Sequence, residues 1–255
     1  MDSIPKIIHY CWFGNKKLPN QYVKYINNWY KKCSDYKIIK WNEENFNINS
    51  YEYAKEAYQK GKMAFVSDVA RIYALYNYGG IYLDTDVEIN KRFDKLLKLN
   101  KTILGWESNE NDDFKTLGTG CMIFPPKSKI CEEMLNYYKN TSFILKDGSL
   151  NLKSNTYLLW ELINKKYGDC FQSNKYFEND DIIIFPLSYF TAFNYELNRV
   201  EKDENTYCVH HFAASWFSPV KKIKRYIKVK LRKCHDIYNY IKRRKKWKKI
   251  TLIYL

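Results

Sequence analysis

Asp84 and Asp86 stand one residue apart at the end of the apolar run Ile81-Tyr82-Leu83. A strand's side-chain period of two sends both carboxylates to one face and Thr85 to the other. Like charges a few ångströms apart raise one another's pKa, so such a pair is costly to hold without a cation. An EF-hand calcium loop needs Gly at its sixth position and Glu at its twelfth; counted from Asp84 these are Ile89 and Lys95, which excludes it. Glycosidase carboxylates flank a sugar from two sides, and two aspartates on one face of one strand flank nothing. The remaining chemistry is a divalent ion, Mn²⁺ or Mg²⁺, held by carboxylate oxygens and completed by the phosphates of a nucleotide-diphosphate substrate. Taken alone, so short a pattern also arises as a solvated strand end.

The residues before the pair must position it. Phe65, Val69, Ile72 and Tyr76 mark one apolar helix face, with Asp68 and Arg71 at i, i+3 on the opposite side. Gly79-Gly80 then stops the helix, where a positive φ is needed at or just past the last turn. Along the chain, strands are predicted at 6–12, 36–40, 81–83, 102–106, 121–124, 182–185 and 207–211, and helices at 20–32, 51–59, 64–78, 129–139 and 156–167. This alternation predicts an α/β domain with a mostly parallel sheet and helices on both faces. Ligands bind such sheets beyond the carboxyl ends of the strands, where Trp12 and the Asp84–Asp86 pair both fall.

The stretch SDVARIYALYNYGGIYLDTDVE, from Ser67 to Glu88, resembles the signature of glycosyltransferase family 32. IPKIIHYCWFG at Ile4 to Gly14, IIKWNEENF at Ile38 to Phe46, FPLSYF at Phe185 to Phe190 and HHFAASW at His210 to Trp216 resemble further blocks of that family in the same order, over roughly residues 4–218. The likeness is to its short capsular-polysaccharide members. The resemblance implies a single GT-A domain, Rossmann-like and nucleotide-sugar-binding, over residues 1–218. It also implies metal-dependent hexose transfer with retention of configuration. The implied donor is a nucleotide-diphosphate sugar, UDP-hexose favoured, and the acceptor a saccharide or lipid-linked saccharide of a capsule or surface glycan. This chain has Ser154-Asn155-Thr156 where many members carry Thr-Gly-Pro before a late helix, a departure that bears on the acceptor-side contacts.

On this resemblance Asp86 is a direct metal ligand, and Asp84 touches the ribose or sugar and the metal shell. Mn²⁺ (or Mg²⁺) would neutralise the diphosphate. His210 and His211 are candidates for another ligand, His211 slightly ahead, since neutral imidazole binds Mn²⁺ and the family has a His or an acid here. Asp68 and Arg71 are implied to reach the donor sugar's hydroxyls, with a plain i, i+3 ion pair as the alternative. Trp12 resembles the aromatic that stacks on the donor base, although a Trp after an apolar strand also suits a core. Tyr82 either hydrogen-bonds the donor or is buried, while Ser215 and Trp216 approach the diphosphate. Gly118-Thr119-Gly120 is either the floor of the sugar pocket or a turn. No residue stands out as an enzymatic nucleophile, which leaves a front-face route open. A catalytically silent carbohydrate-binding scaffold and a nucleotide-sugar hydrolase are the rival readings of the same fold.

The length of 255 residues fits one large α/β domain. Seven cysteines without a C-x-x-C pair fit reduced, cytoplasmic thiols. No secretory leader and no transmembrane run is expected. The net charge of +15 is concentrated in Lys221 to Lys249, which holds fifteen Lys or Arg and one acid, Asp236. Val220, Ile223, Ile227, Leu231, Cys234, Tyr238 and Ile241 recur there at helical spacing. Residues 219–255 therefore read as a basic amphipathic C-terminal helix suited to an anionic membrane surface, peripheral on the inner face, or else packed on the domain. No nucleic-acid partner is expected, because the charge comes without any base-reading module.

Overall fold

A computed structural model of the chain describes residues 3–107, 116–168, 174–194 and 199–212. The elements run β1 (Ile7–Cys11), α1 (Asn20–Lys32), β2 (Lys37–Trp41), α2 (Glu52–Gln59), α3 (Met63–Tyr78), β3 (Gly80–Leu83), β4 (Val87–Ile89), α4 (Asp94–Leu97) and β5 (Thr102–Gly105). They continue with β6 (Cys121–Phe124), α5 (Lys129–Lys139), α6 (Asn155–Tyr167), β7 (Phe177–Glu178), β8 (Ile182–Phe185), α7 (Leu187–Phe190), β9 (Phe193–Asn194), β10 (Arg199–Val200) and β11 (Cys208–His210). Two compact units divide these residues. One holds everything up to Ala192 together with Lys202–His211; the described part of the other is the antiparallel β9-β10 pair with Glu201 and Phe212.

The first unit is built on a seven-stranded sheet in the order β2-β1-β3-β6-β5-β8-β7. Five strands run one way, and β6 and β7 run against them. The α/β class and the mostly parallel sheet expected from the alternation are observed. Alternation along β3 sorts its side chains to two cores. Ile81 and Leu83 pack with Trp29 of α1, Leu96 and Leu97 of α4 and Phe190 of α7. Tyr82 packs on the other face with Val69 and Ile72 of α3, Met134 of α5 and Leu159 of α6. A second, two-stranded ladder joins β4 to β11.

Helix α3 differs from the expected amphipathic helix. Val69 and Ile72 are buried, but so are Val66, Ala70, Ala74 and Leu75, with Asp68 and Arg71 among them, while Phe65 and Tyr76 are only half-buried. The helix is interior on most of its circumference, each large aliphatic contributing roughly 1.5–3 kcal/mol by burial. Its charged pair is thereby carried inside rather than to solvent. The chain leaves α3 through two glycines with positive φ, 62° at Gly79 and 100° at Gly80. A Cβ on Gly80 would lie 2.6 Å from Ile7 O, and one on Gly79 would lie 2.6 Å from Pro126 Cδ, so the turn into β3 has no room for a side chain. His9 locks this corner. Its Nδ1 accepts from Trp41 Nε1 at 3.0 Å and its Nε2 donates to Gly79 O at 2.9 Å. Burial lowers the His9 pKa to about 4, so it stays neutral. No helix among the described residues is long and apolar enough to cross a membrane; the basic segment 219–255 lies outside them.

Candidate active site

The strand that leads to the acid pair stops at Leu83, and the next four residues turn. Val87 N–H donates to Asp84 O at 3.0 Å, and Asp84 N–H donates to Gly120 O at 2.8 Å. The carboxylates are brought together by this turn, not by the pleat of a continued strand. His210 joins them because β11 pairs with β4 in antiparallel register, with His210 opposite Val87 and Cys208 opposite Ile89. His210 Nε2 lies 3.3 Å from Asp86 Oδ1 and 3.9 Å from Asp84 Oδ2. One ligand atom from each of Asp84, Asp86 and His210 falls within 4.8 Å of the others. Two carboxylates and an imidazole form a donor set that fits a divalent cation. Burial lowers the His210 pKa, but Asp86, Asp84 and Glu107 outweigh it and push the value up to about 9.

The neighbouring His211 lies elsewhere. Its ring stacks on Tyr25 at 4.7 Å and its Nε2 is 3.1 Å from Glu88 Oε2. Of the two histidines the structure brings His210 to the acid pair, whereas the order expected from the sequence had His211 ahead. The reason is the ladder, whose register no local pattern announces.

Behind the pair, Arg71 organises a buried network. Its Nη2 is 3.2 Å from Asp84 Oδ1 and 3.3 Å from Asp68 Oδ1. Its Nη1 donates to Thr119 O at 2.9 Å, and its guanidinium lies 4.6 Å from the Tyr82 ring centre. Tyr82 is 1% exposed and its hydroxyl donates to Asp84 Oδ1 at 2.9 Å, so it holds Asp84 from beneath. Burial pushes the Asp68 carboxyl up to about 6 despite the pull of Arg71. Asp68 is also tied through its backbone, since Asn155 Nδ2 donates to Asp68 O at 2.9 Å and Tyr138 O–H donates to Asn155 Oδ1. Thr156 Oγ1 meets Thr119 Oγ1 at 3.3 Å, and Ser154 Oγ caps α6 by accepting from Tyr157 N–H. The Ser154-Asn155-Thr156 departure is therefore packed directly against the site.

Gly118-Thr119-Gly120 is the other side of the cradle. Thr119 receives Arg71, Gly120 O receives Asp84, and a Cβ on Gly120 would sit 2.7 Å from Nδ1 and Cε1 of His210. The glycine leaves the space that the imidazole fills. Glu107, which the sequence reading missed, belongs to the same cluster. Burial pushes its carboxyl up, His210 and Arg71 pull it down, and Asp84 and Asp86 push it up. Its only sequence signal is its place just after β5, at the carboxyl end of a strand parallel to β3. Trp12 follows β1, the strand beside β3. It is half-buried, donates Nε1–H to Lys16 O at 2.7 Å, and lines an open cavity of about 390 Å³ with Tyr10, Gly14, Lys17 and Asn42. Asp84 and Asp86 are not among that cavity's lining residues. Ser215 and Trp216 lie outside the described residues.

Residues 19–103, a third of the chain, match the family described as "Glycosyltransferase sugar-binding region containing DXD motif". Asp84 and Asp86 lie within that matched segment. Among curated proteins, the chain is 35% identical over 99 residues to inositol phosphoceramide mannosyltransferase 3 of Schizosaccharomyces pombe, covering 37% of this chain and 28% of that one. It is 33% identical over 100 residues to mannosyl phosphorylinositol ceramide synthase CSH1 of Saccharomyces cerevisiae, covering 38% and 26%. The chain thus spans less than a third of the length of these two relatives. Among solved structures, a glycosyltransferase involved in the glycosylation of the major capsid of PBCV-1 aligns over 82% of this chain and 95% of that one, with TM-score 0.48 and 12% identity.

Proposed function

We propose that the protein is a metal-dependent glycosyltransferase that moves a hexose from a nucleotide-diphosphate sugar to a saccharide acceptor, with retention of configuration. The observation that carries the proposal is the convergence of His210 on Asp84 and Asp86, the two acids lying in a segment that matches a D-x-D sugar-binding region. A divalent cation held there, Mn²⁺ or Mg²⁺, would neutralise the diphosphate and stabilise the departing nucleotide. Asp86 and His210 hold the cation. Asp84, fixed by Tyr82 and Arg71, orients the same shell and the ribose or sugar hydroxyls. Asp68 and Arg71 support Asp84 from inside and offer polar groups to the donor sugar. Trp12, at the end of the adjacent strand, is the stacking surface for the base. With no assigned nucleophile, front-face displacement, in which the departing phosphate assists deprotonation of the acceptor, is the route that needs the fewest protein groups.

UDP-hexoses are the donors favoured by the resemblance, and the mannosyltransferase names of the relatives add mannosyl nucleotides to the first set to test. The same names, which pair sugar transfer with a ceramide lipid, favour a lipid-linked acceptor. The basic segment Lys221 to Lys249 would bring the enzyme to the anionic inner face of a membrane where such acceptors reside. The test is a thermal-shift and turnover panel of UDP- and GDP-hexoses with Mn²⁺, with Mg²⁺ and with EDTA. The proposal expects a metal-dependent stabilisation by one nucleotide class and turnover of its sugar. A folded protein that responds to none of them refutes it; product formed equally without any acceptor would point to hydrolysis instead.

A further inference from the structure

Along the carboxyl edge of the sheet the strand order from the Trp12 side is β1, β3, β6, β5. Trp12 follows β1, Asp84 follows β3, Gly118-Thr119-Gly120 leads into β6 and Glu107 follows β5 just after Trp106. Three strand spacings of about 4.8 Å give a line of roughly 14 Å, with the acid pair near its middle. If the base lies at Trp12 and the diphosphate at Asp84, Asp86 and His210, the sugar points along this line toward Glu107.

We propose that Glu107 is a further substrate-contacting residue, its carboxylate accepting a hydrogen bond from a sugar hydroxyl at the transfer site, on the side of the acid pair away from Trp12. The inference rests on the donor reading above. Glu107 is a framework position rather than a loose loop residue. Its N–H donates to Thr116 O at 3.0 Å, Trp106 bridges Leu117, and Gly118 N–H donates to Gly105 O at 2.8 Å. The backbone at Glu107 is thus laddered to the segment that carries Gly118. A Cβ on Gly118 would lie 3.6 Å from Glu107 Cβ and 3.8 Å from Glu107 Oε2, so the carboxylate lies over that segment. The other acids of the cluster have protein partners: Asp84 has Tyr82 and Arg71, Asp68 has Arg71 and Asp86 has His210. Among the described residues no protein donor is hydrogen-bonded to the Glu107 carboxylate. A carboxylate offers about four acceptor positions, and Glu107 is half-buried, so its open oxygens can accept from a hydroxyl-bearing ligand. The hydroxyl belongs to the transferred sugar or to the incoming acceptor, and the two sources respond differently to mutation.

Glu107→Ala and Glu107→Gln are compared with wild type in three assays: Mn²⁺-dependent binding of UDP and GDP, hydrolysis of the active donor without acceptor, and transfer to methyl hexosides. Nucleotide binding should stay within about twofold, because the diphosphate site does not include Glu107. Transfer kcat/KM should fall about 10- to 100-fold for Ala and less for Gln, which keeps an acceptor oxygen. A parallel loss of hydrolysis assigns the hydroxyl to the donor sugar. Retained hydrolysis with a raised acceptor KM assigns it to the acceptor. Full transfer activity in both variants overturns the inference alone, as does loss of nucleotide binding together with transfer, which would make Glu107 a support of the metal site. A wild-type protein that binds neither nucleotide with metal overturns the donor reading itself, and the inference with it.

Discussion

Gly120→Ala adds one methyl group where the chain enters β6 and the His210 ring arrives. That methyl would lie 2.7 Å from Nδ1 and Cε1 and 3.2 Å from Cγ of His210, well inside the separation of about 3.5–4.0 Å at which carbon atoms attract. Gly120 is not among the glycines with positive φ, so the cost is contact and not backbone strain. Neither partner can retreat without loss. Gly120 O holds the Asp84 N–H at 2.8 Å, while the His210 N–H donates to Thr191 O at 3.0 Å and its ring sits 3.3 Å from Asp86. Overpacking of this kind costs about 1–3 kcal/mol. Urea unfolding and Mn²⁺ calorimetry on wild type, Gly120→Ala, His210→Ala and the double variant measure both consequences. With the ring removed, the methyl should cost less than about 0.5 kcal/mol, giving a coupling of at least about 0.5 kcal/mol. Mn²⁺ affinity of Gly120→Ala should fall about tenfold or more, as expected when a metal ligand loses its orientation. Wild-type stability and Mn²⁺ binding in Gly120→Ala, or strictly additive costs in the double variant, would refute this account of the glycine.

Three further perturbations separate the parts of the site. The His210 pKa is raised to about 9 from an ordinary 6.5, so its stabilisation of the metal-free protein is complete below pH 6.5 and lost as pH rises through 9. The swing is about 3 kcal/mol, read from unfolding midpoints in EDTA, and His210→Ala should flatten it. Asp84→Ala strips partners from buried Arg71 and Tyr82 and should cost about 2 kcal/mol, discounted because Asp84 is a quarter exposed. Asp86→Ala should abolish metal binding with a smaller loss of stability, so equal thermal shifts for the two would contradict the division of labour between them. Asn155→Ala removes the bond to Asp68 O and the acceptor for Tyr138; at about 1–1.5 kcal/mol per buried bond it should cost about 2–3 kcal/mol. Unchanged unfolding of that variant would show the α6 terminus to be unimportant for holding Asp68.

Much of this was legible in the residues, though not always for the reason they suggested. The apolar run into Asp84-Thr85-Asp86 announced a metal-type pair, yet strand period does not make the carboxylates converge; the Asp84–Val87 turn does. Helix α3 read as one-sided because Asp68 and Arg71 are charged, and charge usually marks the surface. Here Arg71 pairs with Asp68 and with Asp84 instead of with solvent, which lets the helix be interior on most of its circumference. The choice between His210 and His211 could not be read locally, since the β4-β11 ladder consists of three-residue strands far apart in the chain. Strand propensity is weak evidence for such short non-local pairs. Glu107 and Asn155 gave no motif at all. Their roles come from tertiary placement, one through the Gly105–Gly118 ladder and the other through the backbone of Asp68.

The central claim, that Asp84, Asp86 and His210 form a cation site serving a nucleotide diphosphate, is tested most directly by calorimetric titration of UDP and GDP into wild type and a folded Asp86→Ala variant, each with Mn²⁺ and with EDTA. The account predicts that one nucleotide binds wild type with Mn²⁺, binds at least tenfold more weakly in EDTA, and loses its metal dependence in Asp86→Ala. Equal binding in Mn²⁺ and EDTA, or an Asp86→Ala protein that keeps the metal-dependent affinity of wild type, would contradict it.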